Sequence, residues 1–251
     1  MQENNKNSFN HLKIHSQYSI CEGALKIDDL KNYCKKNKIK SAGLSDTSNL
    51  CGALEFADNL SKVGTQPIIG TQINFKFNGI TGLLPVFAKD VNGYKRIIEL
   101  SSKSYLENDG LSEPYCDFFE LTKRNEGIIV FSGTIDGLVG KLFNHGKYQD
   151  ISEIYSNLNS HYQNRFYIEI QRHGDINEKS FEKYNLQKSN ELSIPIIATN
   201  EVYYLDQNMY EAHDALICIG NKTYVNDKNR KKFTNQHYLK TNSEMSELFS
   251  D

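Results

Sequence analysis

Short apolar runs of strand length alternate with amphipathic stretches of helix length along nearly the whole chain, and this alternation limits the possible folds more than any other feature. Strand candidates are His11 to His15, Ser41 to Ser45, Pro67 to Ile73, Leu83 to Ala88, Gly127 to Phe131, Phe166 to Ile170 and Pro195 to Thr199. Between them fall helix candidates at Ile27 to Asn37, Ala53 to Val63, Tyr94 to Tyr105, Tyr148 to His161, Asn177 to Leu192 and Met209 to Ile219. In the first helix Ile27, Leu30 and Cys34 share a stripe, with acidic residues in the first turn and lysines in the last, as the helix dipole favours. Strand and helix taking turns predicts a mainly parallel sheet with crossover helices. A polar residue follows nearly every strand: His15, Asp46, Gln72, Thr134, His173 and Glu201. Converging on one mouth, they would build the active face of a βα barrel; polar loops alone would give the same pattern on an open sheet.

Bulk properties narrow the function. At 251 residues, 38% hydrophobic with 15 Tyr and 13 Phe, the chain can bury a substantial core. No apolar run approaches the roughly 20 residues that span a bilayer, and MQENNKNSFN lacks the apolar core of a secretory signal, so a cytoplasmic location is expected. Five cysteines, never spaced Cys-x-x-Cys, suggest reduced packing residues rather than a disulfide framework or zinc knuckle. A net charge of -2 and pI near 6.4 argue against strong nucleic-acid binding by this chain alone. The run KNRKK at Lys228 to Lys232 reads as a solvated loop.

HLKIHSQYS, from His11 to Ser19, carries the most chemistry. Strand alternation sends His11, Lys13 and His15 to one face. A row of imidazoles facing a cleft suggests metal binding, but the Lys13 ammonium has no lone pair to give and repels a cation. Of the other candidates, Asp46 reads as a helix cap, His213 as a packing residue of its helix, and His145, His161 and His237 as surface residues.

Seven ordered blocks carry a family resemblance: HLKIHSQYSICEGALKI, GLSDTSNLCGALEF, PIIGTQINF, GIIVFSGT, RFYIEIQRHG, PIIATNEVYY and AHDALICIG. Together they resemble the polymerase and histidinol phosphatase (PHP) domain, in the version that opens the alpha subunit of bacterial DNA polymerase III, a C-family replicative polymerase. The resemblance implies a distorted seven-stranded βα barrel over residues 1–251 as one domain, its tail from about residue 221 leading toward a polymerase palm. Active members hold two or three metal ions on nine ligands and hydrolyse phosphoesters, in some relatives as a 3′–5′ exonuclease. Docking of the separate proofreading exonuclease (epsilon) subunit is also implied, as is contact with DNA only through the full polymerase.

Carried over residue by residue, the implied ligand positions fall on Lys13, His15, Glu22, Thr47, Gln72, Thr134, His173, Glu201 and Tyr203. His15 and His173 are retained, Glu22 and Glu201 lengthen an Asp, and Lys13, Thr47, Gln72, Thr134 and Tyr203 are losses. Neutral oxygens bind transition metals poorly beside imidazole, carboxylate or thiolate. The expectation is therefore a degenerate site with no catalytic residues and no cofactor, or at most one zinc or manganese ion on His15, Glu22, His173 and Glu201. In the pocket, Lys13 is expected to pair with Glu22 or Glu201. The function expected is structural, a docking platform within the polymerase; the alternative is a working metal-dependent phosphoesterase or exonuclease.

Overall fold

The computed structural model describes residues 9–108, 110 and 112–251. Seven strands form one curled sheet: β1 (Ser41–Thr47), β2 (Gln66–Phe77), β3 (Ile80–Ala88), β4 (Cys116–Asp117), β5 (Ile128–Phe131), β6 (Phe166–Ile170) and β7 (Ile196–Ala198). The order is β1-β2-β3-β5-β6-β7, with β4 added beside the far end of β2. The helices are α1 (Ile27–Asn37), α2 (Ala53–Ser61), α3 (Val91–Leu106), α4 (Glu120–Lys123), α5 (Leu138–Asn144), α6 (Tyr148–Tyr162), α7 (Glu178–Leu192), α8 (Tyr210–Gly220) and α9 (Asn242–Leu248).

Pairing is mainly parallel, β2–β4 included, with β3 inserted antiparallel between β2 and β5. β1–β2, β5–β6 and β6–β7 are parallel, but β2–β3 and β3–β5 are antiparallel. The cause is a two-residue hairpin: Phe77 pairs with Ile80 across Asn78 and Gly79, both at positive φ. Asn-Gly accepts that geometry at little cost, and its primed turn matches the strand twist.

The expected first strand, His11 to His15, is not a regular strand. Its chain instead closes the sheet's open side through single parallel bridges from Ile14 to Leu44 of β1 and to Val202 beyond β7. His15 N–H donates to the Val202 carbonyl at 2.8 Å, and Val202 N–H to that of Lys13 at 2.9 Å. Gly43 permits this closeness, since a Cβ there would lie 2.5 Å from the Leu12 carbonyl oxygen.

Apolar periodicity then decides what each face buries. Ile151, Ile154, Tyr155, Leu158 and Tyr162 form one stripe of α6 packed on the core that holds Val86, Val130, Phe166 and Ile168. A second cluster sets Ile14, Leu44 and Val202 against Ile27 and Leu30 of α1 and Phe56 and Leu60 of α2. Each such fully buried side chain contributes about 1.5–3 kcal/mol. Among the described residues, no helix is long and apolar enough to cross a membrane.

Candidate functional site

Because Ile14 points into the apolar layer under α1 and α2, its neighbours Lys13 and His15 point into the barrel. Lys13 is completely buried, its ammonium 2.7 Å from Glu201 Oε2 and 3.2 Å from Glu169 Oε1. His15 Nε2 lies 2.6 Å from Glu201 Oε1, and the Gln72 amide reaches both groups. Gln171 Nε2 donates to Glu169 and to Thr199, whose hydroxyl donates to the same Glu169 oxygen. A chain of hydrogen bonds thus runs from β2 through the barrel axis to the segment after β7.

Electrostatics distinguishes the two carboxylates. Burial pulls the Lys13 ammonium down, but the charges of Glu169 and Glu201 outweigh it and hold its pKa above the usual value. Burial pushes Glu201 up, yet Lys13 and His15 carry it well below the ordinary carboxylate range. Glu169 goes the other way: burial raises it, and the Glu201 charge adds to that. Its second oxygen has no hydrogen-bond partner, so this is the carboxylate that takes up a proton when the network does.

The lysine partner is therefore Glu201, as expected, while the second carboxylate is Glu169 rather than Glu22. Glu22 instead accepts from Thr47 Oγ1 at 2.6 Å. Tyr203 stacks on the His15 ring at 4.5 Å, and burial keeps its phenol neutral. Thr134 lines a cavity of about 300 Å³ with Glu22, Gln72, Glu201 and His237, so of the strand-end polar groups Gln72, Thr134 and Glu201 share one mouth, while His15, Asp46 and His173 are not in its lining.

His173 sits just past β6, where its backbone N–H donates to Glu178 and its Nε2 lies 3.1 Å from Asn200 Oδ1. His237 stacks on it at 4.1 Å, nearly parallel.

Four readings are corrected. Asp46 is no helix cap: fully buried, it accepts from Ser16 N–H, Ser16 Oγ and Ser19 Oγ at 2.7–2.8 Å, pinning the loop that carries His15. His237 is buried, not on the surface; its polar neighbours concealed this. His11 lies outside the network although it shares strand parity with Lys13, since its Nε2 meets the Lys240 carbonyl at 2.8 Å against Phe9. Cys51 is exposed, whereas Cys34, Cys116 and Cys218 are core residues. Two of the residue readings hold. His213 packs within α8 with its Nε2 on the Glu22 carbonyl, and Lys228 to Lys232 is a loop, though its Arg230 is locked on Asp214 at 2.6 Å.

Burial lowers the His11 pKa from 6.5 to about 4. The folded protein keeps this ring neutral where the unfolded chain binds a proton, so it contributes a loss of stability as pH falls from 6.5 toward 4. His11→Gln is expected to flatten that part of the pH–stability curve in denaturant melts; an unaltered slope would contradict the assignment.

A PHP domain family model matches residues 11–173. Among curated proteins, the DNA polymerase III subunit alpha of Caulobacter vibrioides is 36% identical over 253 residues, covering 97% of this chain and 22% of that protein. The same subunit of Borreliella burgdorferi is 34% identical over 258 residues, covering 98% and 22%. The chain thus spans about a fifth of the length of these relatives. A solved structure from Bifidobacterium adolescentis, assigned as a metal-dependent phosphoesterase, aligns with a TM-score of 0.54 at 9% identity, covering 78% of this chain and 88% of that one. That similarity concerns the fold.

Proposed function

The chain belongs to the PHP domain family, and from that premise we propose that residues 1–251 form one non-catalytic unit of a replicative polymerase alpha subunit in the bacterial cytoplasm, serving as a structural module and as a docking platform for the proofreading exonuclease. One observation carries the non-catalytic part: a buried ammonium, Lys13, bridges Glu201 and Glu169 at the barrel axis. A metal cluster needs open lone pairs and tolerates no fixed cation at its centre. Here the carboxylates are already compensated, and His15 is held by Glu201 and Gln72. The donors at Thr47, Gln72, Thr134 and Tyr203 are neutral and fit the family's multinuclear cluster poorly. No catalytic step is derived through metals at these positions.

The docking part rests on the kinship to alpha subunits. A pull-down with the cognate exonuclease subunit is expected to show binding at micromolar concentrations, and no binding would remove this role. The runner-up, a working phosphoesterase, draws support from Glu22, Asp175, Glu201 and His237 lining one cavity. It predicts hydrolysis of a generic phosphodiester in manganese or zinc that His15→Ala abolishes; the favoured reading predicts no turnover.

A further inference from the structure

One cluster at the mouth lies outside the Lys13 network and joins a single inherited ligand position, His173, to two residues that are not among those positions. His173 and Asp175 lie in the connection between β6 and α7, and His237 lies in the segment that runs beside Tyr204. Among the described residues, this is the grouping of three His, Cys, Asp or Glu side chains whose ligand atoms all come within 4.8 Å of one another. We propose that His173, Asp175 and His237 form a mononuclear site for a divalent transition-metal ion, zinc being the best match to two imidazoles and one carboxylate with a fourth position left for water.

Two buried nitrogens point to a missing partner: His173 Nδ1 and His237 Nε2 make no hydrogen bond. The opposite nitrogen of His237 is engaged as that of a metal-binding imidazole usually is, through a carbonyl oxygen. His237 Nδ1 faces the Glu201 carbonyl at 3.2 Å. His173 Nε2 accepts the Glu201 backbone N–H at 3.2 Å and lies beside Asn200 Oδ1, an amide oriented by the Lys240 ammonium at 3.0 Å and by its own Nδ2 donating to the Tyr238 carbonyl. Because Nε2 takes the Glu201 N–H, Nδ1 carries the ring proton 3.5 Å from a Glu178 oxygen, and an ion bound there displaces that proton.

Asp175 Oδ2 is 4.0 Å from His237 Nε2 and opens on the cavity, which gives an ion its way in. Donor atoms around tetrahedral zinc lie about 3.4 Å apart, so the trio closes by roughly 1.4 Å at most. The stacked rings must tilt apart for their in-plane lone pairs to converge, and the His237 side chain has only its bond to Glu201 to adjust. A bound ion would clamp the β6–α7 connection to the C-terminal segment, a structural role compatible with a non-catalytic domain.

Titrating the metal-stripped 251-residue chain with zinc chloride by calorimetry tests the site, with cobalt absorption as a second readout. One equivalent is expected to bind, with affinity at least about tenfold weaker in Asp175→Asn and His237→Gln. His145→Ala and His161→Ala, which remove exposed imidazoles, should bind as the parent does. If His237→Gln fails to fold, Asp175→Asn on the half-exposed loop decides alone. Absence of stoichiometric binding, or parental affinity in Asp175→Asn, would overturn the proposal.

Discussion

Lys13→Met is expected to be the most damaging single change in the molecule, lowering unfolding free energy by about 3–5 kcal/mol. The methionine fills a similar volume, so the loss reports charge rather than a cavity. Without the ammonium, Glu201 and Glu169 face each other with no water to screen them, since both are at most 5% exposed. They respond by taking up a proton, and Glu169, already raised, takes it first. The deficit should therefore be larger at pH 8 than at pH 5, the reverse of what a packing defect would give. A double variant, Lys13→Met with Glu201→Gln, should recover part of the loss, because removing both charges is far less costly than stranding one. Equal melts for Lys13→Met and the parent would show that the ammonium does not hold the carboxylates.

Asp46→Ala is the second. Three donors converge on this buried carboxylate, and each is left unsatisfied when it goes. At about 1–3 kcal/mol per stranded group, and with only partial relaxation, a total of about 3 kcal/mol or more is expected. Asp46→Asn keeps Oδ1, which accepts from Ser16 N–H and Ser19 Oγ, and should lose only about 1 kcal/mol. Ser19 Oγ also accepts from Thr47 N–H and lies 3.2 Å from His15 Nδ1, so the alanine variant should shift His15 resonances in NMR spectra and the asparagine variant much less. Comparable melts for the two would contradict the hub role.

How far the sequence discloses this arrangement differs by element. The bounds of α1 and β6 agree with their apolar periodicity, because a clean stripe or a short Val/Ile/Phe-type run leaves little choice. The alternation of strand and helix discloses the parallel pairings, whereas the antiparallel β3 comes from the Asn78-Gly79 hairpin, which breaks that alternation. Short elements such as β4, α4 and α5 hold too few residues to show a period. α9 did carry its signature, Thr241 with Glu244 as a capping box.

In the site, Lys13 and Glu201 could be matched because a lost imidazole and a gained charge coincide. Glu169 could not: a lone glutamate in FYIEI reads as an outward strand position, and only barrel closure turns it inward. His237 comes close to His173 and Asp175 through contacts more than 60 residues apart, which no local pattern encodes.

In the proposed function a protonated lysine, Lys13, occupies the place of a metal cluster. Counting metal by mass spectrometry on the protein after loading with manganese and zinc and desalting tests it most directly. At most one equivalent per chain is predicted, the one assigned to His173, Asp175 and His237. Two or three equivalents retained per chain would contradict the account.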